Sequence, residues 1–188
     1  PFIRARAVWV LAQFEESGRT FVEGLLGDSD PQVRILAYRA LRQADPKGQL
    51  ERANRLATDA SPAVRREIAT SLRDVPFVQC KEILAKLFDG YDGKNRWYLE
   101  ALGIASTHKE ADVYRFLKGR NLGETAFGEW DARKKNIAWR LHTKEAVRDL
   151  SEVIRAQPPN IDEFRHLVMA FASFRTDDQR DYHKGLLE

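Results

Sequence analysis

A short motif recurs along this chain at an interval of about 31 residues. The segment 28–34, which reads DSDPQVR, returns at 59–65 as DASPAVR. A shorter copy, Ile3-Arg4, lies 30 residues before the Val-Arg pair of the first segment, and Asn95-Arg96 lies 31 residues after that of the second. A fixed period of this length is typical of repeat proteins, in which each unit packs mainly on its neighbours.

Each copy of the motif predicts the start of a helix. Asp or Ser stands before a proline, which suits the first helical turn, and apolar residues follow three and four positions apart. The segments between the copies also show one apolar face each, over 21–26, 50–57 and 78–88. The pattern loosens after Ala105 but continues to a last apolar face over 164–171. We therefore predict an all-α fold of alternating helix pairs.

The whole chain, 1–188, is predicted to form one helical-repeat domain. Its 43% hydrophobic and 31% charged residues are typical of a folded chain, and no apolar run approaches the roughly 20 residues that span a bilayer. We expect no membrane insertion. Because Met169 is the only methionine, we interpret the sequence as an internal fragment of a longer protein. Cys80 is the only cysteine, which excludes an internal disulfide.

The motif resembles HEAT repeats, specifically the short bacterial HEAT-like class whose second helix begins with Asp-x-x-Pro-x-Val-Arg. This resemblance implies a right-handed α-α superhelix of about five to six helix pairs. It also implies a ladder of aspartate and arginine side chains that bond across neighbouring repeats, here Asp28 with Arg34 and Asp59 with Arg65. Arg96 holds the arginine position of the next copy, but Gly90 stands where its aspartate is expected, and Asp89 or Asp92 could take that place.

A longer block, residues 91–105, and a weaker one, residues 135–141, resemble the HEAT segment of large exported proteins of planctomycetes and their relatives. Those proteins join a sugar-dehydrogenase-like β-propeller, a HEAT stretch and a c-type haem domain. The resemblance implies that this chain is the middle, scaffolding module of a bacterial, redox-active parent. It implies an exported or periplasmic location and neighbouring domains of the same polypeptide as partners.

The sequence offers no residues for catalysis, metal binding or a cofactor. A c-type haem needs Cys-x-x-Cys-His, which a single cysteine cannot supply. The histidines at 108, 142, 166 and 183 lack the paired spacing of a zinc site, and Cys80 suits a small core residue better than a nucleophile. His166 and Met169 suggest haem ligands only weakly. We therefore expect a non-enzymatic interaction module.

Nucleic acid is the alternative partner, because residues 94–148 are basic and rich in aromatic side chains. This region holds twelve Lys and Arg against seven Asp and Glu, together with Trp97, Tyr98, Trp130 and Trp139. Aromatic rings among cations can stack on bases while the cations meet phosphates, as in some HEAT-like DNA glycosylases. Trp97 and Trp139 fall within apolar helical faces, however, which favours a role in the core.

Residues 119–131 are predicted to form the longest connection between helices. Long ordered loops in compact repeats are commonly functional. This one carries Phe127 and Trp130 and runs into Arg133, Lys134 and Lys135, a set that could anchor an acidic protein surface. The alternative is that Trp130 folds back to cover the ends of the helices.

Overall fold

The computed structural model describes residues 2–14, 16–122, 125–157 and 161. Within these ranges the chain is helical and contains no strand, which confirms the all-α helical-repeat prediction. The helices are α1 (Phe2–Gln13), α2 (Glu16–Gly24), α3 (Pro31–Ala44), α4 (Gln49–Leu56), α5 (Pro62–Ser71), α6 (Phe77–Asp89), α7 (Arg96–Ala105), α8 (Glu110–Leu117), α9 (Ala132–Leu141) and α10 (Lys144–Ala156). The predicted apolar face over 164–171, with His166 and Met169, lies outside the described residues.

The repeated motif begins helices, as its sequence predicts. Pro31 and Pro62 occupy the first position of α3 and α5, where the missing proline N–H would have had no helical partner. The Asp30 carboxylate caps α3 by accepting a hydrogen bond from the Gln32 amide at 2.8 Å. Asn95 caps α7 in the same manner through the amide of Tyr98, at 3.0 Å.

The chain divides into two compact units, Pro1–Gly90 and Tyr91–Glu188. In the first unit α1 packs on α3, α3 packs on α5, and α4 packs on α6. This alternation is the arrangement of a helical repeat, in which every second helix belongs to the same layer. Its core is built from apolar residues that are almost fully buried, among them Tyr38, Leu41, Ile68, Leu72, Leu84, Leu87 and Phe88.

The second unit shows the same alternation. Here α7 packs on α9, and α8 packs on α10. Asn136 donates to the Gly93 carbonyl at 2.9 Å and Arg140 donates to Glu100 at 2.9 Å, so α7 and α9 run in the same direction. Gly93 permits this approach, since it has a φ of +78° and a Cβ atom there would lie 3.1 Å from the Arg133 backbone.

The predicted 119–131 connection contains local helical structure in its described part. A π-helical turn covers Lys118–Leu122, and a 3₁₀ turn covers Phe127–Glu129. The 3₁₀ turn lies against α10, where the Gln157 side chain donates to the Phe127 carbonyl at 3.4 Å. Residues 123 and 124 lie outside the described ranges.

Candidate functional site

Arg34 joins two consecutive repeats of the first unit. Its Nε and Nη2 atoms donate to the two carboxylate oxygens of Asp59 at 2.8 and 2.7 Å, and both side chains are largely buried. This two-point geometry is the strong form of an arginine–carboxylate pair. Its Nη1 atom meets the Asp28 backbone carbonyl at 2.7 Å. The carboxylate partner of Arg34 is therefore the aspartate 25 residues later, and Asp28 contributes through its backbone.

Arg65 repeats this geometry one step along the chain. Its Nη1 atom donates to the Asp59 carbonyl at 2.5 Å, and its Nη2 atom donates to the Gly90 carbonyl at 3.1 Å. Gly90 occupies the position where the third copy lacks an aspartate. The Gly90 carbonyl oxygen thus accepts from Arg65 at the repeat position where the Asp59 carboxylate accepts from Arg34.

Asp59 also organises its own loop. Its Oδ1 atom accepts a hydrogen bond from the Ser61 amide at 2.7 Å, just before α5 begins. Burial raises the pKa of the Asp59 carboxyl, but the hydrogen bonds from Arg34 and Ser61 and the positive charges of Arg34 and Arg65 lower it, so its pKa lies below the ordinary aspartate value. The carboxylate is therefore stabilised in its charged form.

Arg96 has a different environment from Arg34 and Arg65. Its side chain is 73% exposed and pairs with Glu100 on its own helix at 3.6 Å. Asp92, four residues before Arg96, accepts hydrogen bonds from the amides of Lys94 and Asn95, both at 2.9 Å. The loop before α7 is thus held by local contacts.

The structure buries Trp130, one of the residues considered for a partner surface. Its side chain is 2% exposed and its ring centroid lies 5.7 Å from that of Phe127, which is half-buried. Lys134 donates to Thr125, while Arg133 and Lys135 are half-buried on α9. Trp130 is therefore part of the packing under the 3₁₀ turn and does not present an exposed ring.

Trp97 has the opposite environment, which corrects the expectation of a core role. Its side chain is 74% exposed, whereas Tyr98 and Leu99 beside it are buried. The repeat register could have predicted this exposure, since Trp97 aligns with Arg66 in the previous copy, a position that holds a charged residue. We define the Trp97 patch as Trp97 and Ile104 on α7 with the flanking cations of Lys94 and Arg96.

A polar cluster that the sequence did not indicate joins α8 to α10. The Tyr114 hydroxyl donates to Asp149 at 2.8 Å, and the Lys118 ammonium donates to the same carboxylate at 3.0 Å and pairs with Glu145 at 3.1 Å. Burial raises the pKa of the Tyr114 phenol, and the Asp149 carboxylate raises it further. Both oxygens of the buried carboxylate are satisfied, so this cluster serves the packing of the two helices.

The described residues contain neither a cluster of metal-ligating side chains nor a helix that could span a membrane. No three or more His, Cys, Asp and Glu side chains within them converge as metal ligands do. Cys80 is buried on α6. No described helix has the length and apolar character needed to cross a bilayer.

These features define an all-α helical-repeat protein in whose first unit Arg34 and Arg65 join consecutive repeats, through the Asp59 carboxylate and the Gly90 carbonyl. Residues 18–106 match the family model of HEAT repeats, which covers α2 to α7. This segment is therefore HEAT-like, and the fold class is that of an all-α helical repeat. No curated protein and no solved structure matches the chain.

Proposed function

We propose that this chain is a non-catalytic scaffold that binds an acidic protein surface through the Trp97 patch. The observation that carries the proposal is the exposed Trp97 ring beside two cations. Tryptophan and arginine are the residues most enriched among those that dominate protein interfaces. An exposed indole of this size is costly to leave in water and gains most when a partner covers it.

The electrostatics of the patch select the partner. Lys94 is exposed and Arg96 is paired only weakly with Glu100 in a solvent-exposed contact. The two nearby carboxylates are both engaged, that of Asp92 by two backbone amides and that of Glu100 by Arg96 and Arg140. The exposed cations of Lys94 and Arg96 beside the Trp97 ring therefore favour an acidic partner.

Protein is favoured over nucleic acid by the aromatic side chains. Of the four aromatics considered for base stacking, Tyr98 and Trp130 are buried and Trp139 is half-buried, which leaves Trp97 as the exposed one. A strand of nucleic acid is usually held by several successive stacking platforms in a basic groove. One exposed ring suits a protein interface better.

We further propose that the partner surface belongs to a neighbouring domain of the same, larger polypeptide. The resemblance of residues 91–105 to the HEAT segment of exported planctomycete-type proteins supports an exported, redox-active parent with a propeller and a c-type haem domain. Sequencing of the source gene beyond both ends tests this part. A Cys-x-x-Cys-His motif in the encoded protein is expected, and a complete gene without propeller or haem motif would remove the redox context.

The class of partner is tested by binding in a salt series. The probes are an extended 12-residue peptide rich in Glu and Asp with two Leu and two Pro, and a 20-nucleotide single strand. We expect the peptide to shift the amide NMR signals of residues 94–104, with modest weakening between 50 and 200 mM salt. Tighter binding of the nucleic acid, with a loss of affinity of a hundredfold or more over this range, would contradict the proposal.

A further inference from the structure

Arg140 on α9 lies next to the Trp97 patch. Glu100 follows Trp97 by three positions and precedes Ile104 by four, so its side chain lies on the same side of α7 as those two. Glu100 accepts a hydrogen bond from the Nε atom of Arg140 at 2.9 Å. The Arg140 guanidinium is therefore held at the edge of the patch that faces α9.

A glycine makes room for this guanidinium against α7. A Cβ atom added at Gly103 would lie 1.9 Å from the Cζ atom of Arg140 and 2.3 Å from its Nε and Nη1 atoms. These distances are far below van der Waals contact, so a side chain at position 103 would displace the guanidinium. Glycine weakens the interior of a helix relative to alanine. The missing Cβ atom of Gly103 thus allows the placement of Arg140.

Arg140 uses fewer of its donors than two other largely buried arginines. The side chains of Arg34 and Arg52 are 13% and 10% exposed, and each donates to protein oxygens from all three guanidinium nitrogens. The Arg140 side chain is 21% exposed, and among the described residues only its Nε atom has an acceptor. Neither of its Nη atoms is both fully buried and unpaired, so both are open to solvent or to a ligand.

We infer, on the basis of the function proposed above, that Arg140 binds a carboxylate of the acidic segment that covers Trp97. Arg140 and Arg96 both pair with the one carboxylate of Glu100, so positive charge exceeds negative charge in this group. The two Nη atoms of a guanidinium present N–H groups that match the two oxygens of a carboxylate. Glu100 and the gap at Gly103 fix the guanidinium in place, so the partner's carboxylate meets donors that are already oriented.

The experiment uses the full 188-residue chain and the acidic extended peptide named above, labelled for fluorescence anisotropy. Gly103→Ala keeps every charge but displaces the Arg140 guanidinium, and we expect a loss of affinity of about fivefold or more. Gly24→Ala is the matched control. This exposed glycine of α2 has open space where the Cβ atom would be added, so the variant should bind within twofold of the wild type.

Arg140→Lys is the second variant, and it replaces Gly103→Ala if urea melts show that Gly103→Ala does not fold. It keeps the charge but lacks the planar pair of donors, so its affinity should also fall about fivefold or more. The Arg140 Nε–Hε signal, assigned by its absence from the NMR spectrum of Arg140→Lys, should shift saturably as the peptide is added to the wild type. A residue that only joins α7 to α9 would not give this shift.

Two results would overturn the inference while leaving the proposed function in place. The first is unchanged affinity in folded Gly103→Ala and Arg140→Lys chains when Trp97→Ala has lost binding. The second is an Arg140 signal that stays fixed while the amide signals of residues 94–104 move. A wild-type chain that does not bind the acidic peptide would instead contradict the proposed function, and the role of Arg140 would fall with it.

Discussion

Asp59 is the residue on which the contact between the first two full repeats depends. It accepts two hydrogen bonds from Arg34 and one from the Ser61 amide, and its own carbonyl accepts one from Arg65. The carboxylate side chain is 8% exposed, so little water competes for these bonds. Removing it leaves a largely buried guanidinium without its main acceptor.

We therefore predict that Asp59→Ala lowers the free energy of unfolding by about 2 to 3 kcal/mol at neutral pH. Urea melts measure this, with Glu51→Ala at an exposed site of α4 as the control, expected to change it by less than about 0.5 kcal/mol. Equal midpoints for the two variants would show that the contact does not stabilise the fold.

The same substitution should change the response to acid. Because the pKa of Asp59 is lower in the folded state, its contribution is present above the unfolded pKa of about 3.9 and is lost as the pH falls through the folded-state value. The stability gap between wild type and Asp59→Ala should accordingly close in acid. A gap that stays constant down to the acid limit of the melts would contradict the assignment.

At the scale of elements, the 3₁₀ turn before α9 is fixed by a buried ring. Trp130 packs against Phe127 under this turn, and its indole N–H has no hydrogen-bond acceptor among the described residues. The ring therefore contributes by apolar burial alone within that part of the chain. Burial of this kind is lost almost completely when the side chain is truncated.

We predict that Trp130→Ala lowers the free energy of unfolding by about 3 to 5 kcal/mol. Trp97→Ala is the matched control, since it removes the same side chain from an exposed site and should change stability by less than about 0.5 kcal/mol. Chemical denaturation followed by circular dichroism measures both. A larger loss for Trp97→Ala than for Trp130→Ala would reverse the assignment of the two rings.

For the molecule as a whole, the repeat period of the sequence predicts the fold class. Proline at the first helical position and an apolar residue every three or four positions were enough to predict α3 and α5, and the 31-residue interval to Asn95-Arg96 predicted α7. The resemblance to HEAT repeats is supported over residues 18–106 by the family match. The 31-residue period predicts the order of the helices, because each repeat buries the same positions against its neighbours.

The burial and the contacts of single side chains were harder to predict from the sequence than the helices were. Trp97 and Tyr98 are adjacent, and a rotation of about 100° between them decides which ring is buried. The carboxylate that pairs with Arg34 lies 25 residues away, at a place set by how the repeats stack. The contact of Tyr114 with Asp149, 35 residues apart, likewise depends on the packing of α8 on α10.

The measurement that tests the proposed scaffold most directly is peptide binding by the Trp97→Ala chain. The acidic extended peptide is titrated into the wild type and the variant under the same salt conditions, with Arg148→Ala as an exposed cation control on α10. We predict at least a tenfold loss of affinity for Trp97→Ala, with its urea midpoint unchanged, and near wild-type binding by the control. Undiminished binding by a folded Trp97→Ala chain would contradict the claim that this patch is the partner surface.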